Sequence, residues 1–383
     1  MHGVDSLCLD NVEKCASGDS PIYSLNKTVM LPIEERCDEP TNLTLFNCTE
    51  EEYLLYQRGD RVGNLSIAIP ATIAYTFILL AGLIGNITVC IIIIRNRELH
   101  TSTNYYLFNL AIADLLYMLL GLPFEIYMFW HQYPWPFDLS FCKIRSLFSD
   151  ACSYASVLTI VAFSVERYLA ICHPFSSYVI ASLRRVLYVI AVIWIFSLIS
   201  AAPVAYYRHI RYLRYPPPDG PNMPESAVCT LNSNFKGLYE ISTLVFFIIP
   251  LTVLIIMYHQ IATKLNMREE NHNNGQFSAC AKDDTKTKQL RAKKKIVRML
   301  VAIVITFFIS WAPFHAQRLV FVYGRDWSNY YEINEMLFTI AGVFYYLSCT
   351  INPIIYNVMS HRYRAAFRRT FCCEHDTGKA SVT

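Results

Sequence analysis

A few ionisable and hydrogen-bonding residues interrupt long apolar stretches of this sequence, and their types and spacing define the chemistry open to it. Asp114 and Glu125 break the stretch Tyr105 to Trp130, while Asp150, Glu166 and Arg167 break the stretch Phe141 to Cys172. A charge near the centre of a bilayer costs about 2.5 to 3.5 kcal/mol or more, so each one retained implies a use. Asp114, with Asn86, Ser156 and Ser348 at helical spacing, supplies a carboxylate and hydroxyls suited to a hard cation such as Na⁺, or else a hydrogen-bonded structural carboxylate. Glu166-Arg167-Tyr168 sets opposite charges side by side, a pairing that can be exchanged and so can switch. Asn352-Pro353-Ile354-Ile355-Tyr356 bends a helix at proline and offers a tyrosine that can reach Arg167 or Tyr258 through water; the plainer reading is a structural kink. Trp311 precedes Pro313 in the aromatic run from Phe307, so a ligand pressing on the indole can swing that helix, although such runs are usually packing. Glu125 and Asp150 together suit the planar guanidinium of a ligand, the alternative being ion pairs with the chain's own Arg318, Arg145 or Lys143.

The ten histidines show no His-Glu-x-x-His spacing and no nucleophile stands beside a base, which argues against an enzyme. A net charge of +3 and the lack of a basic block interleaved with aromatics argue against nucleic acid as a partner. Paired broken helices and inverted repeats, the marks of a transporter, are not evident either.

These residues need elements to hold them, and the composition says which. Of 383 residues 54% are hydrophobic and 16% charged, against about a quarter charged in soluble domains. A bilayer core needs roughly 20 apolar residues in helix, and seven stretches qualify. They are Ile67 to Ile94, Tyr105 to Trp130, Phe141 to Cys172, Val186 to Tyr207, Ile241 to Ile261, Met299 to Gln317 and Met336 to Ser360. The fold expected is an all-α membrane protein, a seven-transmembrane helix bundle over residues 67–358 with a short amphipathic eighth helix in 359–383. The first 20 residues hold no apolar run, so the first span is expected to act as its own insertion signal.

An odd number of spans puts the termini on opposite sides. The loop of about 264–295, counted from Lys264 to Arg298, carries ten Lys/Arg against four acids, which makes it cytoplasmic by the positive-inside rule. Residues 1–66 are then outside, and their sequons predict glycosylation at Asn26, Asn42, Asn47 and Asn64. Cys142 and Cys229 both face the oxidising side, so a bond between them is expected. Cys8, Cys15, Cys37 and Cys48 allow three pairings that sequence does not separate. Past the last span, Ser360 can cap a helix in which Tyr363, Phe367 and Phe371 form a stripe flanked by Arg362, Arg364, Arg368 and Arg369, lying along membrane lipid. Cys372 and Cys373 follow as palmitoylation candidates.

In order along the chain, Gly85-Asn86, Asn109-Leu-Ala-Ile-Ala-Asp114, Glu166-Arg167-Tyr168, Trp194, Pro250 with Tyr258, Trp311-Ala-Pro313 and Asn352-Pro353 to Tyr356 resemble the rhodopsin-like (class A) G-protein-coupled receptors. That resemblance implies a heterotrimeric G protein and arrestin as partners and plasma-membrane placement. By it, Arg167 meets the G protein when the sixth helix moves, Val157, Pro250 and Phe307 relay the motion, and Asp114 holds sodium at rest. Where many relatives carry an acid at the start of the sixth helix, this chain reads Lys293-Lys294-Lys295, which leaves Glu166 as the main partner of Arg167.

The last span has no lysine for a Schiff base, so retinal is not expected, and Ser149 replaces the aspartate that amine receptors place there. Gly121-Leu-Pro-Phe-Glu125-Ile-Tyr, Trp135 and the run Ser153 to Pro174 are similar to the neuromedin U, pyrokinin and capa receptors. The resemblance implies a short peptide ending in Pro-Arg-X-amide and the calcium-mobilising Gq class. The arginine would face Glu125 and Asp150, close to Arg318, with the amide end among Trp311, His315, Tyr345 and Tyr346. The Tyr215-Pro-Pro-Pro-Asp-Gly-Pro loop is expected to be either a solvated linker or part of a steering surface.

Overall fold

A computed structural model describes residue 37 and residues 48–173, 182–231, 237–275, 284–324, 326–359 and 361–371. Asn26, Asn42, Asn47, Cys8, Cys15, Ser360, Cys372, Cys373 and the side chains of Lys293 to Lys295 lie outside the described residues. The chain forms two units, residues 1–57 and 58–383. In the first, a disulfide joins Cys37 to Cys48, which selects one of the three pairings the sequence allowed.

Seven helices among the described residues are long and apolar enough to cross a membrane. Spans one to seven are Leu65–Arg95, Ser102–Trp130, Leu139–Cys172, Leu183–Tyr206, Leu238–Met267, Val301–Tyr323 and Ile333–Val358. The first four start up to three residues earlier than hydropathy alone placed them, and in the first three a capping side chain sets the end. The carboxylate of Asp138 accepts from the Phe141 N–H at 3.0 Å and opens span three. Thr101 does the same for span two. Asn64 caps span one through its Oδ1, a bond that leaves its Nδ2, the atom a glycan would occupy, uninvolved. Span six belongs to a longer helix, Asp284–Tyr323. Span five contains a π turn, Leu244–Ile248, just before Pro250; proline has no N–H to close an ordinary turn, and the wider turn absorbs the loss.

Hydrogen bonds between side chains join the spans internally. Asn109 donates to Thr159 Oγ1 at 2.8 Å and accepts from the Trp194 indole at 2.9 Å, and Thr159 donates onward to the Ala155 carbonyl, so spans two, three and four share one satisfied network. Asn86 donates to the carbonyls of Gly82 and Cys349, which ties span one to span seven. Gly85 permits that approach, since a Cβ there would stand 3.1 Å from the Pro353 ring.

One element departs from the all-α expectation. Strands β1, Arg208–Arg214, and β2, Asn222–Leu231, form an antiparallel hairpin after span four. The proline-rich run, read above as either a solvated linker or part of a steering surface, is its turn, closed by Tyr215 N–H to Pro221 O and Gly220 N–H to Pro216 O. An irregularity between Arg211 and Leu213 is filled by buried Ser226, which accepts from Leu213 N–H and donates to Met223 O, each at 2.7 Å. The hairpin is anchored by the Cys142–Cys229 disulfide and by the Trp135 N–H to Ala227 carbonyl bond. Residues 59–63 run against 129–133, through Gly63 N–H to Phe129 O, Gln132 N–H to Arg61 O and Tyr133 O–H to Gly59 O.

At the other end of the bundle, the amphipathic helix His361–Phe371 buries Tyr363 and Ala366. Arg364 donates to the carbonyls of Asn357 and Val358, capping the last turn of span seven. Arg369 pairs with Glu98 and holds its carboxyl below the usual carboxylate range. A depressed carboxylate pKa keeps that pair intact at neutral pH and loses it as pH falls through the lowered value.

Thr159→Val should leave a buried Asn109 donor without its acceptor, a loss of about 1–3 kcal/mol. The expected readout is a lower Tm of the detergent-purified protein, with Trp194→Phe lowering it further. Unchanged melting in both variants would show that the network does not hold these spans together.

Candidate functional site

The residues singled out from the sequence fall into three layers along the bundle. At the hairpin end, Glu125 of span two receives Arg145 of span three at 2.5 Å, and both side chains remain about one-fifth exposed. The Arg145 guanidinium also lies 4.1 Å over the Phe124 ring. Asp150 of span three pairs with Arg318 of span six in a largely buried setting. Arg318 is held between the rings of Phe314 and Tyr239, at 4.3 and 4.8 Å. The two acids therefore do not converge on one vacant guanidinium position: each has an arginine of its own, which is the alternative the sequence left open. Asp150 Oδ2 and Arg318 Nη1 have no protein partner among the described residues, nor has His315 Nε2. His315 Nδ1 bonds Thr243 of span five at 3.0 Å.

Below this lies an aromatic floor. Tyr345 is 4.6 Å from Trp311, 4.7 Å from Phe314 and 4.7 Å from Tyr117, ring centre to ring centre, and Tyr346 stacks on Tyr117 at 4.9 Å. Tyr345 O–H is bonded to Ser153 of span three. Trp311 stacks on Phe307 one turn along span six, at 4.6 Å, and its indole N–H has no protein partner among the described residues. Tyr117 was missed in the sequence, although Asp114, Tyr117, Gly121 and Glu125 recur at i, i+3, i+7 and i+11 and so share one helix face. Gly121 is required there, because a Cβ would stand 2.5 Å from the Tyr346 hydroxyl.

The middle layer is a cavity of about 10 Å³ lined by Asp114, Ser156, Ser348, Asn352, Cys152 and Cys349, with Phe307 and Trp311 at its aromatic side. Asn352 donates to Asp114 Oδ2 at 3.0 Å. Ser348 spends its proton on the Tyr345 carbonyl at 2.6 Å, which leaves its oxygen free to accept or coordinate. Asn86 does not line the cavity, contrary to the grouping drawn from spacing; its amide is committed to the Gly82 and Cys349 carbonyls. The oxygens of Asp114, Ser156, Ser348 and Asn352 and the small volume fit a dehydrated hard cation such as Na⁺, whereas the Cys152 and Cys349 thiols add nothing to its coordination. These two thiols went unnoticed in the sequence because cysteine carries no polarity signal inside an apolar run.

In the third layer Arg167 pairs with its neighbour Glu166 at 2.5 Å, and Thr103 of span two donates to the same carboxylate oxygen at 3.4 Å. Tyr258 is bonded to Ser164 at 2.7 Å rather than to Arg167. Tyr356 is buried, and its hydroxyl has no protein partner among the described residues. The arginine is thus held locally, and neither Tyr258 nor Tyr356 is bonded to it. At the hairpin end, spans five and six are fastened by the Tyr323 hydroxyl, which donates to Glu240.

The arrangement has two polar ends joined by a column of aromatic rings and one buried carboxylate, which suits transmission of a signal and offers no nucleophile with a base. The model of the family described as 7 transmembrane receptor (rhodopsin family) matches residues 85–356. Neuromedin-U receptor 2 of Mus musculus is 35% identical over 322 residues, covering 83% of this chain and 78% of that protein. A neuromedin U receptor homolog of Caenorhabditis elegans is 37% identical over 357 residues, 86% of each chain. Pyrokinin-1 receptor of Drosophila melanogaster is 33% identical over 354 residues, 79% of this chain and 80% of its own. Seven spans, the ordered motifs within them and this match over most of the chain carry one conclusion: the chain is a receptor and not an enzyme, and it belongs to the rhodopsin family of seven-transmembrane receptors.

Proposed function

We propose that the chain is a plasma-membrane receptor, N-terminus outside, for an amidated neuropeptide whose arginine precedes its last residue, and that it activates a heterotrimeric G protein of the calcium-mobilising Gq class and afterwards recruits arrestin. Its similarity to neuromedin U and pyrokinin receptors supports a peptide of that kind, and the basic loop between spans five and six supports the orientation. The observation that carries the reading is the half-open Glu125–Arg145 pair above an aromatic floor. A peptide guanidinium exchanges with Arg145 for the same carboxylate, and Arg145 keeps its seat over Phe124 while it yields.

The peptide's terminal carboxamide, being neutral, enters more deeply than a carboxylate would, since a second buried negative charge beside Asp150 is unfavourable. It has one acceptor and one donor face, and Arg318 Nη1 and Asp150 Oδ2 offer the complementary donor and acceptor. Pressure on Tyr345 and Trp311 is passed through Phe307 to the lower half of span six, Na⁺ leaves Asp114, and Arg167 exchanges Glu166 for the Tyr258 and Tyr356 hydroxyls and the G protein. Fixed charges at Glu125 and Asp150 thus set ligand selectivity, while the aromatic column sets efficacy.

In cells responding by calcium release, Glu125→Gln should weaken arginine-containing amidated peptides by about tenfold to a hundredfold, the value of one charge-assisted hydrogen bond. Citrulline analogues should lose little. Equal losses for both peptide types would sink the guanidinium assignment.

Arg167→Ala should abolish peptide-stimulated nucleotide exchange on added Gq while radioligand binding survives; residual exchange at the wild-type level would contradict the switch. A free-acid peptide that matches its amide in potency would remove the carboxamide site.

A further inference from the structure

Between the last turns of spans three and five a cleft of about 370 Å³ opens, far from the ligand layer and lined by none of the switch residues. One wall is a single face of span five, with His259, Gln260, Thr263, Lys264 and Met267 recurring at i, i+1, i+4, i+5 and i+8. His173, the residue that ends span three, faces it from the other wall. Lys264 gives the lining one permanent positive charge and the two imidazoles and the Gln260 amide supply further donors, Thr263 donates its own proton to the His259 carbonyl, and among the described residues no carboxylate lines the cleft. This is a donor set for an oxyanion of phosphate type, and the volume falls within the range of about 300–1,000 Å³ typical of ligand sites.

Its place in the bundle narrows the source of that phosphate. Both walls are the final residues of membrane spans, so the cleft lies at the depth of lipid headgroups. One turn nearer the membrane core on the same face of span five, Ile255 and Ile256 are exposed, at 59% and 52%, and continue an apolar track from the cleft. A ligand with a phosphate head and hydrocarbon tails matches both halves, whereas a soluble phosphate would leave the track unused. We propose that this cleft binds the phosphorylated headgroup of an anionic phospholipid of the cytoplasmic leaflet. The side of the membrane follows from the orientation proposed above; the lipid contact itself does not depend on which peptide the receptor takes.

The full-length receptor is reconstituted without peptide in nanodiscs of phosphatidylcholine containing a minor share of phosphatidylinositol bisphosphate, and retained lipid is counted by native mass spectrometry. Wild-type protein should retain the phosphoinositide over phosphatidylcholine, and the combined His173→Gln, His259→Gln and Lys264→Gln variant should retain about tenfold less, equivalent to one charge-assisted hydrogen bond. Lys264→Arg, which keeps the charge, should restore retention when it replaces the glutamine, and unchanged peptide binding by all variants reports an intact fold. Should the combined variant not fold, Lys264→Gln against Lys264→Arg decides the matter alone. Equal retention by wild type and variant would overturn the proposal. Full displacement of the lipid by soluble inositol trisphosphate would assign the cleft to free phosphate and overturn the lipid assignment.

Discussion

Hydrocarbon offers a polar side chain neither donor nor acceptor, so whatever polarity the spans contain must be satisfied among the spans themselves. That constraint organises the molecule. Where the pairing is complete, as in the Asn109, Thr159 and Trp194 network, it works as a joint that fixes three helices against each other. Where it is incomplete, atoms are left over at Asp150, Arg318, His315, Trp311 and Tyr356. Others occur in span four, at Ser197, and in the hairpin, at His209, but these five lie in spans three, six and seven, at or between the two polar ends of the bundle. A membrane protein that only had to be stable would have replaced them with hydrocarbon, since buried ion pairs contribute little net stability.

The same reasoning explains how differently the two arginine–carboxylate pairs behave. Asp150 and Arg318 are enclosed, so removing either leaves a buried charge unpaired, and the pair acts as a single unit. Glu125 and Arg145 are partly open to water, where an ion pair is worth little and exchange with an incoming cation is easy. Depth, and not residue type, separates a fixed ion pair from an exchangeable one.

Much of this was legible in the sequence because hydropathy and intramembrane charge are local signals. The seven spans, the Cys142–Cys229 bond and the placement of Asp114 and Trp311 in the core needed no coordinates. The hairpin did not announce itself, since its turn is a proline cluster that reads as unstructured and its register depends on one buried serine, Ser226. The partners of Glu125 and Asp150 were also beyond reach. Helical spacing gives the face a side chain occupies, but which cation on a neighbouring helix it meets depends on the tilt and depth of that helix. Asn86 was misgrouped with Asp114 for that reason: its spacing is compatible with the cavity, yet the carbonyls of Gly82 and Cys349 are nearer. Asp138 illustrates the converse, since its duty as a helix cap is local to its own turn.

The clasp between Tyr323 and Glu240 gives the sixth helix the mechanics of a lever. The helix runs unbroken from Asp284 to Tyr323, and the clasp pins its outer tip to span five. From that pivot Trp311 stands about 18 Å along the axis and Asp284 about 58 Å, at about 1.5 Å per residue. A sideways push of given size at the indole is therefore geared up about threefold at the far tip, with Pro313 as the compliant point between pivot and load. At the other end the terminal helix is joined to span seven through Arg364 and to the turn after span one through Asn96, which donates to Thr370. On this geometry a displacement at the indole is about one third of the corresponding displacement at the Asp284 end.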